Sequence, residues 1–314
     1  MSDEKSGEPW ERKVLEKLAI SALQEQRRAR RWGIFFKSLT LLYLFAILFI
    51  AIGWTGKKDD VHSGKHTALV DLVGVIAPGS EASAEHVTEG LQNAFKDKNT
   101  QGVILRINSP GGSPVQAGYI NDEIRRLRVL YPKIPIYAVV EDICASGGYY
   151  VAAAADKIYV DKASVVGSIG VLMNGFGFTG TMEKLGVERR LLTAGKNKGF
   201  LDPFSPLDAS QKEYAQNMLA DIHQQFIKVV REGRGQRLKE SADTFSGLMW
   251  TGEKSIALGL ADATGSVDYV ARDVIKAEDI VDFSAHEGFA ERFAKRFGAG
   301  VTQALVAQNL PLLR

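Results

Sequence analysis

Residues 134–160 read IPIYAVVEDICASGGYYVAAAADKIYV, and this stretch decides the fold. The β-branched and aromatic run 134–140 has strand character, and KIYV (157–160) is a second, shorter strand pattern. Between them lie Ser146, Gly147 and Gly148, then an alanine run expected to begin a helix. Strand, glycine turn, helix and strand together make a parallel α/β unit. The same rhythm runs upstream. TALVDLVGVI (67–76) is a strand pattern, EHVTEGLQNAF (85–95) a helix pattern, and GVILRIN (102–108) a strand that ends in SPGGS. VQAGYINDEIRRLRVLY (115–131) places Ile120, Ile124, Leu127 and Leu130 at helical spacing. Downstream, VERRLLTAG (187–195) is strand-like, and 210–235 is a long amphipathic helix pattern closed by Gly-Arg-Gly.

In a parallel sheet, turns that follow strands emerge at the carboxyl ends, where α/β sites form. Two glycine-rich turns are so placed: Ser109-Pro110-Gly111-Gly112-Ser113 and Ala145-Ser146-Gly147-Gly148. Glycine lets a backbone N–H approach a substrate oxygen closely, so the N–H groups of Gly112 and Gly147 are candidates for an oxyanion hole. Ser146 is then the candidate nucleophile. Two tight connections with no catalytic role are the alternative. No histidine lies in or beside either turn, which weakens a Ser-His-Asp arrangement. A neutral lysine can serve as base, although bringing an ordinary lysine from pKa ~10.4 to ~7 takes roughly 4–5 kcal/mol of differential stabilisation. Lys196 and Lys198, in TAGKNKG, are the candidates, and spacing does not choose between them.

Other chemistries find little support. No His-Glu-x-x-His or Cys/His cluster is present, and no metal or cofactor is expected. Gly175-Phe176-Gly177-Phe178-Thr179-Gly180 matches a dinucleotide fingerprint in form, but the following strand-like run ends in Thr-Ala-Gly without an acidic residue. A net charge of +2 calls for no nucleic-acid partner, and the lone Cys144 forms no disulfide within the chain.

Residues 33–54 (GIFFKSLTLLYLFAILFIAIGW) carry a single charge, Lys37. As a helix they rise ~33 Å, enough to cross a bilayer core. Arg27, Arg28, Arg30 and Arg31 precede the run, while Lys57 and Lys58 after it are offset by Asp59 and Asp60. This bias favours a cytoplasmic N-terminus and an exported C-terminal bulk. The run is longer than a signal-peptide core and lacks an Ala-x-Ala site, so an uncleaved signal anchor is expected. Val14, Leu15, Leu18, Ala22 and Leu23 form one helical face before it, either resting on the membrane or extending the anchor. Phe289, Phe293, Phe297, Val301 and Leu305 form a stripe in the tail, read as a core or subunit contact with membrane binding as the alternative.

VILRINSPGG, IYAVVEDICASGGYYVAAAADKIYV, VVGSIGV and TAGKNKGF, in this order, resemble the signal peptide peptidase A family over roughly residues 66–272. The resemblance implies a Clp protease/crotonase-like α/β fold of repeated ββα units, preceded by one N-terminal transmembrane helix. It implies Ser146 as nucleophile, Lys198 rather than Lys196 as base, Gly112 and Gly147 as oxyanion donors, and Ser168 in a supporting hydrogen bond. It also implies a homo-oligomeric ring, an octamer in this short form, in which serine and lysine can come from neighbouring subunits. The expected layout is a cytosolic tail (1–32), an anchor (33–54), a linker (55–65), a serine peptidase domain (66–275) and an amphipathic tail (276–314). The implied activity is degradation of remnant signal peptides on the extracytoplasmic side of a bacterial inner membrane, with peptides and the lipid bilayer as partners. A membrane quality-control protease and a catalytically silent scaffold are the alternatives.

Overall fold

The computed structural model describes residues 10–54 and 64–285. Two units result. The first contains α1 (Trp10–Trp54), one unbroken helix of 45 residues. The basic segment and the apolar run therefore share a single helix. Within it Val14–Phe49 is long and apolar enough to cross a membrane.

The second unit is a mixed sheet covered by helices. In chain order its elements are β1 (His66–Val73), α2 (Ala84–Lys96), β2 (Thr100–Ser109), α3 (Pro114–Leu130), β3 (Ile136–Ala145), α4 (Gly147–Ala152), β4 (Lys157–Val160) and β5 (Val165–Gly167). There follow α5 (Thr179–Lys184), α6 (Ala209–Arg234), β6 (Met249–Thr251), α7 (Gly252–Ala257), β7 (Ala263–Thr264), α8 (Val267–Tyr269), a π-helical turn (Val270–Ile275) and β8 (Ile280–Asp282). The strand order is β6-β5-β3-β2-β1-β8, with β4 beside β3 and β7 beside β4. All pairs are parallel except β5–β6. This is the Clp-like α/β sheet that the sequence leads one to expect.

Alternation builds two cores from one sheet. Ala68, Val70 and Leu72 of β1 and Val103, Leu105 and Ile107 of β2 face the larger core with α2 and α3. Leu69, Ile104, Val139 and Tyr159 face a smaller one closed by Val270 and Ala271. Burial on both faces explains why these strands read as continuous apolar runs. Ser83, Ser113 and Asp208 cap α2, α3 and α6, accepting from His86, Gln116 and Gln211 N–H.

Three features differ from the sequence reading. The helix after Ser146 begins at Gly147, and the alanines mostly end it: Ala153, Ala154 and Ala155 are buried in the turn beyond α4. Small side chains are needed there because α6 crosses closely. A Cβ on Gly233 would fall inside the envelope of the Ala153 carbonyl. Residues 187–195 form no strand. This segment pairs with none of the strands at the sheet's edges, β6, β7 and β8, and Leu191 and Leu192 are exposed. The sheet also continues to Ile280–Asp282, which pairs with β1. The aromatic stripe from Phe289 to Leu305 and most of the 55–65 linker lie outside the described residues.

Candidate active site

Strand β3 serves two neighbours. Tyr137, Ala138 and Val139 pair with β4, while Ile143, Cys144 and Ala145 pair with β5. The chain then turns sharply at Ser146, which has φ 51° and ψ −122°. A side-chain-bearing residue in this sparsely populated region is strained by about 1–3 kcal/mol. Its surroundings fix it: Ser146 N–H donates to Gly167 O at 2.9 Å, and Tyr150 N–H donates to Ser146 O at 3.0 Å. The serine thus stands at a forced bend between strand and helix.

The loop after β2 is brought directly against this bend. Ile76 N–H donates to Gly111 O, and Ser113 N–H donates to Ile76 O, clamping the Gly111–Gly112 turn beneath β1. A Cβ on Gly111 (φ 97°) would lie 2.6 Å from Gly147 N and 2.7 Å from Ser146 Cβ. Only glycine permits that approach. A Cβ on Gly147 would in turn lie 3.3 Å from Gly112 N. The two N–H groups are therefore neighbours, and neither donates to a protein acceptor among the described residues. Two unpaired donors beside a strained serine hydroxyl are what a tetrahedral oxyanion requires.

A cleft of about 520 Å³ opens over this point. Ser146, Gly112, Gly147 and Ser168 all border it, so four of the five sequence-derived residues come together. Ser168 is also held at positive φ (51°), its N–H donating to Leu248 O at 2.7 Å. The remaining wall is largely apolar and includes Tyr150, Val171, Leu172, Ile222 and Phe226. These side chains escaped the sequence reading. Their signal was the amphipathic face of α6, where Ile222 and Phe226 are four residues apart, and the apolar end of VVGSIGVL.

The fifth residue is elsewhere. Lys198 sits in an exposed turn, its N–H donating to Gly195 O at 3.1 Å, and does not border the cleft. Among the described residues no lysine, histidine or carboxylate does. His223 has Nε2 3.1 Å from Ile169 O, and His86 has Nδ1 3.0 Å from Ser80 O, so both rings are engaged by backbone. Tyr150 is the one titratable side chain in the wall among the described residues, and burial raises its phenol above the ordinary value. Among the described residues of one chain, the cleft brings the candidate nucleophile Ser146 to the candidate donors Gly112 and Gly147 but holds no candidate base suited to neutral pH.

Residues 129–280 match the description "Peptidase family S49". A Methanocaldococcus jannaschii protein that carries a protease name is 31% identical over 272 residues, covering 79% of this chain and 86% of that protein. The chain belongs to peptidase family S49. An Enterococcus faecium protein named as a signal peptide peptidase is 28% identical over 233 residues, covering 72% of this chain and 67% of that one. A Brucella abortus protein named as a Na(+)/H(+) antiporter is 47% identical over 177 residues, covering 56% of this chain but only 24% of that much longer protein. The family match takes in Ser146, Gly147, Ser168 and Lys198, while Gly112 precedes it.

Gly112→Ala tests the geometry of the donor pair. The added methyl would lie 2.9 Å from the Ile76 carbonyl carbon and still closer to its oxygen, at a φ of 149°. The loop must shift and carry the N–H with it. Peptide hydrolysis should fall about 10²–10³-fold, as when one oxyanion donor is lost. The rate of fluorophosphonate labelling should fall in parallel.

Proposed function

We propose that this protein is a membrane-anchored serine endopeptidase in which Ser146 is the nucleophile and Lys198 the general base. The observation that carries this reading is the strained Ser146 facing two unpaired N–H donors at the floor of an apolar cleft. Neutral Lys198 takes the proton from Ser146 Oγ as the oxygen attacks the scissile carbonyl carbon. Gly112 and Gly147 N–H hold the resulting oxyanion. The C–N bond breaks, Lys198 gives its proton to the leaving amine, and water releases the acyl group. Ser168 supports the lysine with a hydrogen bond.

The base reaches the cleft from a neighbouring copy in a closed ring. Two observations support this. No lysine among the described residues borders the cleft of a single chain, and Lys198 lies on a segment with exposed apolar residues, including Leu172, Phe176, Leu185 and Leu192. Such a surface calls for a protein cover, and a head-to-tail interface repeated around a ring supplies one. The apolar walls suit small or aliphatic side chains, and remnant signal peptides are the substrate class with that composition. The apolar run of α1 and the arginines before it support an anchor with a cytoplasmic N-terminus and a peptidase domain on the extracytoplasmic side of the inner membrane.

A subunit-mixing experiment tests this arrangement. Ser146→Ala and Lys198→Ala chains should each be inactive, whereas Lys196→Ala retains activity. Co-assembled in equal amounts, the two inactive chains should regain about a quarter of wild-type activity, since one interface in four pairs an intact serine with an intact lysine. No recovery would place both groups on one chain. Full activity in Lys198→Ala alone would end the dyad. A chain whose Ser146 is not labelled by a fluorophosphonate would be a scaffold instead.

A further inference from the structure

The edge of the sheet opposite the cleft has its own chemistry. There β1, β2, β3 and β4 begin, at His66, Thr100, Ile136 and Lys157. Two shallow grooves run along this edge and share Pro132, Lys133 and Ile134. One extends to Lys98 and Leu130, the other to Arg128, Val129 and Lys157. Lys98, Lys133 and Lys157 are exposed and enter none of the ion pairs among the described residues. Asp156, the carboxylate in these grooves, is engaged by Arg128 and by Ile136 N–H. Asp97 beside Lys98, and Glu278 and Asp279 before β8, offset part of the charge along this edge, but within the two grooves themselves the lysines face no free carboxylate among the described residues. Between the lysines, Val129 and Leu130 project at 83% and 57% exposure.

We infer that this edge is a docking surface for an anionic lipid bilayer. Three exposed lysines around two projecting aliphatic side chains match a surface of negative headgroups over an apolar boundary. A basic surface without apolar knobs would suit a soluble anion equally well. Val129 and Leu130 favour the lipid. Chain length agrees, because β1 begins at this same edge and only residues 55–65 separate it from α1. Eleven residues reach at most ~40 Å, a length that permits the contact without imposing it. This inference rests on the anchor reading and adds to it a specific, charge-dependent contact by the peptidase domain.

The test uses the full chain in nanodiscs of phosphatidylcholine, alone or mixed with phosphatidylglycerol. Val129→Cys is labelled with an environment-sensitive fluorophore; the native Cys144 is buried and stays unlabelled. A Val75→Cys label, beyond the other end of β1, serves as the reference. Emission at position 129 should rise about twofold with phosphatidylglycerol and return to baseline in ~0.5 M salt, because surface charge is screened over a few ångströms there. Lys98→Glu/Lys133→Glu/Lys157→Glu should remove the response while leaving hydrolysis of a soluble peptide in detergent unchanged. Position 75 should not respond. Equal emission in both lipids, or a response that survives the triple substitution, overturns the inference. Co-elution with phosphatidylcholine discs reports the anchor separately. A chain that fails to co-elute overturns the anchor reading and this one with it.

Discussion

Ser146→Ala should lower peptide hydrolysis at least about 10⁴-fold while leaving the fold intact. That is ~5.5 kcal/mol of transition-state stabilisation, far more than one ordinary surface hydroxyl contributes. The backbone explains why the two effects separate. Ser146 is held by Gly167 O and Tyr150 N–H through main-chain atoms, which alanine keeps. A glycine at the same place gives a sharper test. At φ 51°, ψ −122° a Cβ is strained and glycine is not, so Ser146→Gly should be as inactive as alanine yet more stable by about 1 kcal/mol. A thermal melt beside a peptide-cleavage assay measures both. If glycine destabilised the protein, the bend would be held by serine for structural reasons and the nucleophile reading would lose its main support.

Arg234→Met is expected to have the largest effect on stability. The Arg234 side chain is 0% exposed, and its Nη1 and Nη2 donate to both oxygens of Asp262 at 2.8 and 2.9 Å. Its Nε donates to Gly259 O at 2.8 Å. Asp262 Oδ2 also accepts from Ile158 N–H at 2.7 Å, which joins α6, β4 and the turn before β7. Nearby, Tyr149 of α4 donates its hydroxyl to Leu260 O at 2.7 Å. The turn that carries Ser146 is thus backed by this network. Removing the guanidinium leaves a largely buried carboxylate with Arg237 as its remaining cation among the described residues, and such a loss costs about 3–5 kcal/mol. For a domain of this size the melting temperature should drop by roughly 10 °C. Replacing both partners, Arg234→Met with Asp262→Leu, should recover part of the loss, because no charge is then stranded. A double variant less stable than Arg234→Met would contradict this account.

The same pair sets a pH dependence. Burial by itself would raise the Asp262 carboxyl, but hydrogen bonds and charge from Arg234, with Ile158 N–H and Arg237, hold it below the usual carboxylate value. A group with a depressed folded pKa contributes its stability above the unfolded value of ~3.9 and loses it as pH falls through the folded value. Wild-type stability should therefore decline below pH ~4 through this group. In the double variant that part of the decline should be missing.

Much of this was legible in the residues themselves. The alternation of apolar strand runs with helical spacing, as in GVILRIN followed by Ile120, Ile124 and Leu127, follows from local periodicity and specified a parallel α/β sheet. The glycines at 111, 112 and 147 marked close backbone approach, and the apolar run from residue 33 marked a helix long enough to span a bilayer. The strand expected at 187–195 did not form: strand-like composition is a local property, whereas ladder pairing depends on how distant strands are placed, which no local pattern records.

What only the tertiary structure decided concerns residues far apart in sequence. It placed Gly112 N–H beside Gly147, strained Ser146 against Gly167, and paired Arg234 with Asp262. It also left every lysine among the described residues away from the cleft of a single chain, although Lys198 is prominent in the sequence. Periodicity reports which face of an element is apolar. Which loops meet at the end of a sheet depends on strand order and crossovers, and so the serine was visible in the sequence while its chemical surroundings were not.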